Sequence, residues 1–97
     1  MDFNRDYELS EVVRKVSYEL NRHITYSVRD IVYNDEIKEG IVVSFLKGNE
    51  DERTLFNIEN KIVVSLLGEM VVQVKTYKDV WNGDIRINIC FIDEWKG

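Results

Sequence analysis

The 97-residue sequence contains no proline, no alanine, one cysteine and one histidine. The single thiol, Cys90, leaves no intramolecular disulfide and no framework of paired thiolates for a metal. The longest apolar runs, such as Ile62-Val63-Val64 and Ser65-Leu66-Leu67, fall far short of the ~18–20 residues needed to cross a bilayer. The five glycines, at 40, 48, 68, 83 and 97, are scattered, so no glycine-rich phosphate loop or dinucleotide fingerprint is present. Each except the last reads as a turn or cap. The opening residues Met1-Asp2-Phe3-Asn4-Arg5-Asp6 have neither the positive charge nor the apolar stretch of a signal peptide, and a cytoplasmic location is the expectation. Alanine and proline need GC-rich codons. Their absence beside 8 Asn, 10 Ile and 7 Lys is what an AT-rich genome produces.

What the chain does have is a 44% apolar composition with 11% aromatics, enough to offset the entropy of ordering. Its length suits one domain spanning 1–97. Lys and Arg number 13 against 18 Asp and Glu, for a net charge of −5. That balance opposes direct binding to nucleic acid, which rests on cations neutralising phosphates, and is compatible with a basic protein partner. A charge of this size also serves solubility alone.

Leu9, Val12, Val13, Val16 and Leu20 recur at helical spacing, and the pattern predicts an amphipathic helix over 7–22. Glu11 and Lys15 stand four apart in the favourable order, and Arg22 lies late, where it suits the dipole. After His23 the period becomes two. Strands over 24–33 and 40–46 are joined by a turn centred on Asp35-Glu36, which would set Val28 opposite Val43 and Tyr26 opposite Phe45. Residues 47–52 read as a solvated loop.

Asn82-Gly83 between alternating runs predicts a two-residue type I′ hairpin. That register puts Val72, Val74, Thr76, Val80, Ile85, Ile87, Ile89 and Phe91 on a core face. The opposite face then carries Gln73, Lys75, Tyr77, Asp79, Trp81, Arg86, Asn88, Cys90 and Ile92. The window from Leu55 to Glu69 has two readings. As a helix it gathers Leu55, Ile58, Ile62, Val63, Leu66 and Leu67 on one side, with Gly68 just past the C-cap. As strands, Ile62-Val63-Val64 would turn at Gly68-Glu69 into Met70-Val71-Val72. The helix is favoured because two-residue alternation is missing. An offset of 46 residues then superimposes Val12, Val16, Leu20, Val43 and Phe45 on Ile58, Ile62, Leu66, Ile89 and Phe91, a pattern two unrelated helix–hairpin units would also give. The expected fold is α+β, with helices packed on one face of an antiparallel sheet in the order αββαββ. The alternative is one N-terminal helix followed by a β-meander.

No catalytic constellation emerges. His23 has no nucleophile or orienting acid beside it in sequence and reads as a helix C-terminal cap. Cys90 reads as a small apolar filler, although a cation such as Lys75 or Arg86 would activate it. The acids of Asn49-Glu50-Asp51-Glu52 lack the spacing of a calcium loop, and neither a metal nor a cofactor is expected. Two surfaces are candidates for a partner. Lys75, Tyr77, Trp81, Arg86 and Ile92 interleave aromatic, apolar and cationic groups on one sheet face, the composition of interface hot spots. The chain's own terminus with Trp95 would compete to cover that face. The acids Asp35, Glu36, Glu50, Asp51, Glu52 and Asp84 lie at strand ends, where they would form a negative rim for a basic groove.

These features point to a small acidic non-enzymatic protein-binding module, of inhibitor or immunity type, encoded by a phage, a mobile element or an AT-rich bacterium. A small-molecule or enzymatic pocket between helix and sheet, using His23 or Tyr26, is the alternative. Open sheet edges leave a homodimer beside the monomer as a third arrangement.

Overall fold

The computed structural model describes residues 3–67 and 71–93. Leu9, Val13 and Val16 are buried, with Val12 and Leu20 packed beside them. They form the inner stripe of α1 (Phe3–Leu20). The helix stops at Leu20 because Asn21 adopts a left-handed conformation, with φ of 49°. The Asn21 N–H then reaches the Tyr18 carbonyl at 3.1 Å and the Arg22 N–H reaches that of Ser17 at 3.0 Å, a Schellman cap with Asn in the usual Gly position. The final carbonyls are therefore closed by Asn21 and Arg22. His23, expected to cap them, is exposed beyond the helix.

The ambiguous window is helical. α2 (Glu52–Leu67) buries Leu55, Ile58, Ile62 and Leu66, and Val63 packs partly against them. Leu67 is exposed, and Gly68 and Glu69 lie outside the described residues. A single-helix meander is thereby excluded. The start of α2 is set by Asp51, whose Oδ1 accepts the Thr54 N–H at 2.8 Å, the N-cap bond three residues into a helix. That bond, with help from the Thr54 side chain, holds the Asp51 carboxyl below its ordinary value. A depressed folded value means the stabilisation is present above the unfolded carboxylate pKa and fades as pH falls through the folded one. Asp51→Ala is expected to lower Tm by roughly 3–8 °C at neutral pH. In thermal melts the difference should vanish at pH below the usual carboxylate range.

Strands β1 (Thr25–Tyr33) and β2 (Glu36–Leu46) form the first hairpin. Its turn residues are Asn34 and Asp35, with φ of 52° and 62°, the two consecutive positive values a type I′ turn requires. The turn thus falls one residue earlier than expected. Val28 pairs with Ile41 and Tyr26 with Val43, a shift of two partners that leaves each side chain on its intended face. Strands β3 (Val71–Trp81) and β4 (Asp84–Asp93) close around Asn82-Gly83. Their register matches expectation from Trp81↔Asp84 to Thr76↔Ile89.

Beyond Lys75 the pairing breaks. Lys75 opposes Cys90 but Gln73 opposes Phe91, so Val74 is an extra residue, and a bulge of this kind reverses which face the following residues occupy. Val72 then pairs with Ile92, and Val74 packs with Ile31, Val42, Cys90 and Ile92. Of the core face expected for this hairpin, only Ile87, Ile89 and Phe91 are core. Val80 and Ile85 point the right way but are exposed near the turn, and Val72 is exposed too.

The four strands form one antiparallel sheet in the order β1-β2-β4-β3. Both helices lie on one side, over Ile41, Val43, Phe45, Ile87, Ile89 and Phe91. At the centre of the sheet Val43 pairs with Ile89, its equivalent at the 46-residue offset. The arrangement is accordingly pseudo-two-fold about that pair, with β1 and β3 outermost. The two hairpin turns consequently sit at opposite ends of the sheet.

Candidate functional site

The helices cover one face of the sheet and leave the other open. Pairing places Thr25, Ser27, Arg29, Ile31 and Tyr33 from β1 on that open face, with Gly40, Val42, Ser44 and Leu46 from β2. Arg86, Asn88, Cys90 and Ile92 join from β4, and Lys75, Tyr77, Asp79 and Trp81 from β3. The pseudo-two-fold relates two unlike halves of this face. One half is an apolar cluster of Ile31, Val42, Cys90 and Ile92 with Tyr33 and Val74 against it. The other is polar.

The polar half is a connected network across three strands. Arg86 donates through Nε to one oxygen of Asp79 at 3.0 Å and through Nη2 to the other at 2.6 Å, the bidentate geometry that strengthens such pairs. The Asn88 amide donates to the same Asp79 carboxylate at 3.1 Å, and Ser44 Oγ donates to Asn88 Oδ1 at 2.8 Å. Asn88 is only 2% exposed and is the one buried polar residue of the described core, so its amide needs these partners. The Arg86 guanidinium, aided by Asn88, holds the Asp79 carboxyl below its ordinary range, while Asp79 raises Arg86.

Beside the network lies a cleft of about 380 Å³, with Trp81, Leu46 and Phe45 as apolar walls and Arg22, His23 and Arg86 as polar ones. Trp81 is 50% exposed. Arg22 is held in place three ways: it donates to the Leu46 carbonyl at 2.8 Å, pairs with Glu50, and lies 5.4 Å from the centre of the Phe45 ring. A second cleft, of about 340 Å³, is floored by Val42 and Cys90, with Arg29 on the β1 side and Lys75 and Tyr77 on the β3 side.

Of the five residues expected to meet a partner, Lys75, Tyr77, Trp81 and Arg86 share the open face and are at least partly accessible. Ile92 is not. It is on the same face but 0% exposed beneath its neighbours in the apolar cluster, so it supports the face from below. Cys90 is likewise buried there; burial pushes its thiol up, and the charges of Lys75 and Arg29 offset part of that. Cover by the chain's own terminus with Trp95 falls outside the described residues. Sequence reading places Asn88 on this face without its partners, and misses Arg29 and Ser44 as parts of the surface.

The acids expected to form a negative rim divide between the two ends of the sheet. Asp35 and Glu36 lie at one end of the sheet. Asp84 lies at the other, where Lys47 N–H bonds the Ile85 carbonyl, together with Glu50, Asp51 and Glu52. Several are committed to the fold. Asp51 caps α2, and Glu50 pairs with Arg22 and accepts the Gly48 N–H at 2.6 Å. Glu36 stands 4.0 Å from Lys38. Among the described residues no group of His, Cys, Asp and Glu is placed to hold a metal ion, and no helix is long and apolar enough to cross a membrane.

The interval between helices and sheet is filled by the apolar side chains of the main core, against which Tyr26 also packs. No family model matches the chain, and neither a curated protein nor a solved structure matches it.

Proposed function

We propose that this chain is a non-enzymatic protein-binding module that docks through the open face of its sheet, with Trp81, Tyr77 and Arg86 at the centre of the contact. One observation carries the reading: a half-exposed Trp stands over a cleft beside an Arg already fixed by a bidentate bond. Aromatic and Arg side chains dominate binding energy where they are prearranged, because little side-chain entropy remains to be lost. The AT-rich composition fits an inhibitor or immunity-type protein of a phage, mobile element or AT-rich bacterium. Location in the cytoplasm belongs to the same proposal.

The test is capture of a stoichiometric partner from such a host by the wild-type chain and by Trp81→Ala. The substitution is expected to weaken binding by roughly tenfold to a hundredfold, the range for a central aromatic. Phe56→Ala, on the exposed side of α2, is expected to leave it unchanged. The opposite result, with the helix substitution decisive and Trp81 indifferent, would move the interface to the other side of the molecule.

A further inference from the structure

The open face carries cations that the fold does not use. Arg29 donates to Ser27 Oγ at 3.1 Å, and Lys75 lies over the Tyr77 ring at 5.7 Å. Neither has a carboxylate within ion-pair distance among the described residues. Asp79, the nearest acid on this face, is occupied on both oxygens by Arg86, and Arg29 acts on it only from a distance. The bond to Ser27 turns Arg29 toward the row Ser27, Val42, Cys90, Lys75. Both cations therefore face the second cleft from opposite outer strands. With Asp30 also in its lining, the cleft sets two cations against one carboxylate, a local positive excess on a chain whose net charge is −5.

We infer that the partner presents an extended acidic segment to this face, an inference that rests on the docking reading above. Charge complementarity names the occupant. A carboxylate entering the second cleft would meet two cations without giving up an existing ion pair. A longer polyanion fits less well, since the whole chain repels it and the Tyr77 and Tyr33 rings, which would stack on bases, already lie near Lys75 and Lys38. Trp81, opposite Asp84, lies six residues along β4 from Cys90 in the cation row, a distance of about 20 Å in an extended strand. The matching segment is therefore extended, with an acidic residue at one end and a bulky apolar one about six positions away.

Selection from displayed random peptides of about seven residues, enough to span that distance, tests the inference on the full chain. The variants Arg29→Glu with Lys75→Glu, and Trp81→Ala, are run in parallel. Peptides acidic at one end and apolar at the other should be enriched, and the best of them should lose roughly tenfold in affinity on charge reversal. The milder pair Arg29→Gln with Lys75→Gln, verified as folded by circular dichroism, should lose affinity in the same direction. Enriched peptides without acids that still depend on Trp81 would overturn the inference and leave the docking reading intact. Enrichment of nothing, or of peptides indifferent to Trp81, would count against both. Binding of a short oligothymidylate that charge reversal abolishes would replace the peptide with a nucleic acid.

Discussion

Gly40→Ala is expected to destabilise the protein by about 3 kcal/mol, the upper part of the usual range for overpacking. A Cβ at this position would stand 2.2 Å from the Phe91 carbonyl oxygen and 2.6 Å from Ile31 Cδ1. The second contact is with the end of a side chain that can rotate away. The first is with backbone in β4, a central strand held by ladders to β2 and β3, so relief requires the sheet itself to spread. Intrinsic preference runs the other way, because Gly in a strand costs about 0.5–1 kcal/mol relative to Ala. The sign of the result therefore tests the packing. Urea unfolding measures it, and the loss would be a large share of the ~5–15 kcal/mol typical of a domain. Adding Ile31→Val should restore only a small part of the loss, since the backbone contact remains. A neutral or stabilising Gly40→Ala would show that β2 and β4 are not this close.

Gly40 also marks where sequence reasoning reaches its limit. It reads as a turn glycine because it borders an apolar run, yet it lies within β2, and its role comes from a strand about fifty residues later in the chain. Local signals fared better. The stripe from Leu9 to Leu20 predicts α1 to within a few residues, and Asn82-Gly83 fixes most of the second hairpin. The first turn is misplaced by one position because Asn34-Asp35 and Asp35-Glu36 both contain turn formers; only the former pair tolerates two left-handed residues well. The bulge at Val74 falls in the unbroken alternation Val72-Gln73-Val74-Lys75 with no glycine to announce it, so alternation alone puts Val72 and Val74 on the wrong face.

The binding face was half legible for the same reason. Alternation from a known turn brings Lys75, Tyr77, Trp81 and Arg86 to one side without any tertiary knowledge. Arg29 and Ser44 join them only once the order β1-β2-β4-β3 is known, since no sequence signal says which strands adjoin. Ile92 has the right face and the wrong depth: alternation sets direction, whereas exposure depends on Ile31, Val42 and Val74 around it.

Asn88→Asp is expected to cost about 3–5 kcal/mol at neutral pH, the penalty for an unpaired charge inside a folded protein. Asn88 Nδ2 lies 3.1 Å from Asp79 Oδ1 and 3.4 Å from the Arg86 carbonyl. The substitution replaces a donor by an acceptor and sets two carboxylates in contact, with Arg86 already bound to one of them. A proton shared between the two carboxyls would relieve the clash, so their combined affinity for a proton rises in the folded state. The folded protein then binds more protons than the unfolded chain above the ordinary carboxylate pKa, and stability falls as pH rises through that interval. In the wild-type protein the sign is opposite, since Asp51 and Asp79 both have lowered values and contribute stability that disappears in acid. Urea unfolding of the two proteins from acid to neutral pH should therefore give converging curves in acid and diverging ones toward neutrality. Asn88→Ala separates charge from lost bonding. It removes the amide without adding a carboxylate, should cost about 1–2 kcal/mol, and should leave the difference from wild type flat above the ordinary carboxylate range, fading only in acid, where Asp79, which the amide helps hold low, takes up its proton. An Asn88→Asp penalty as small and as flat as that of Asn88→Ala would mean that solvent reaches the Asp79–Asn88 contact, and the polar half of the open face would not be the rigid platform on which docking through Trp81 depends.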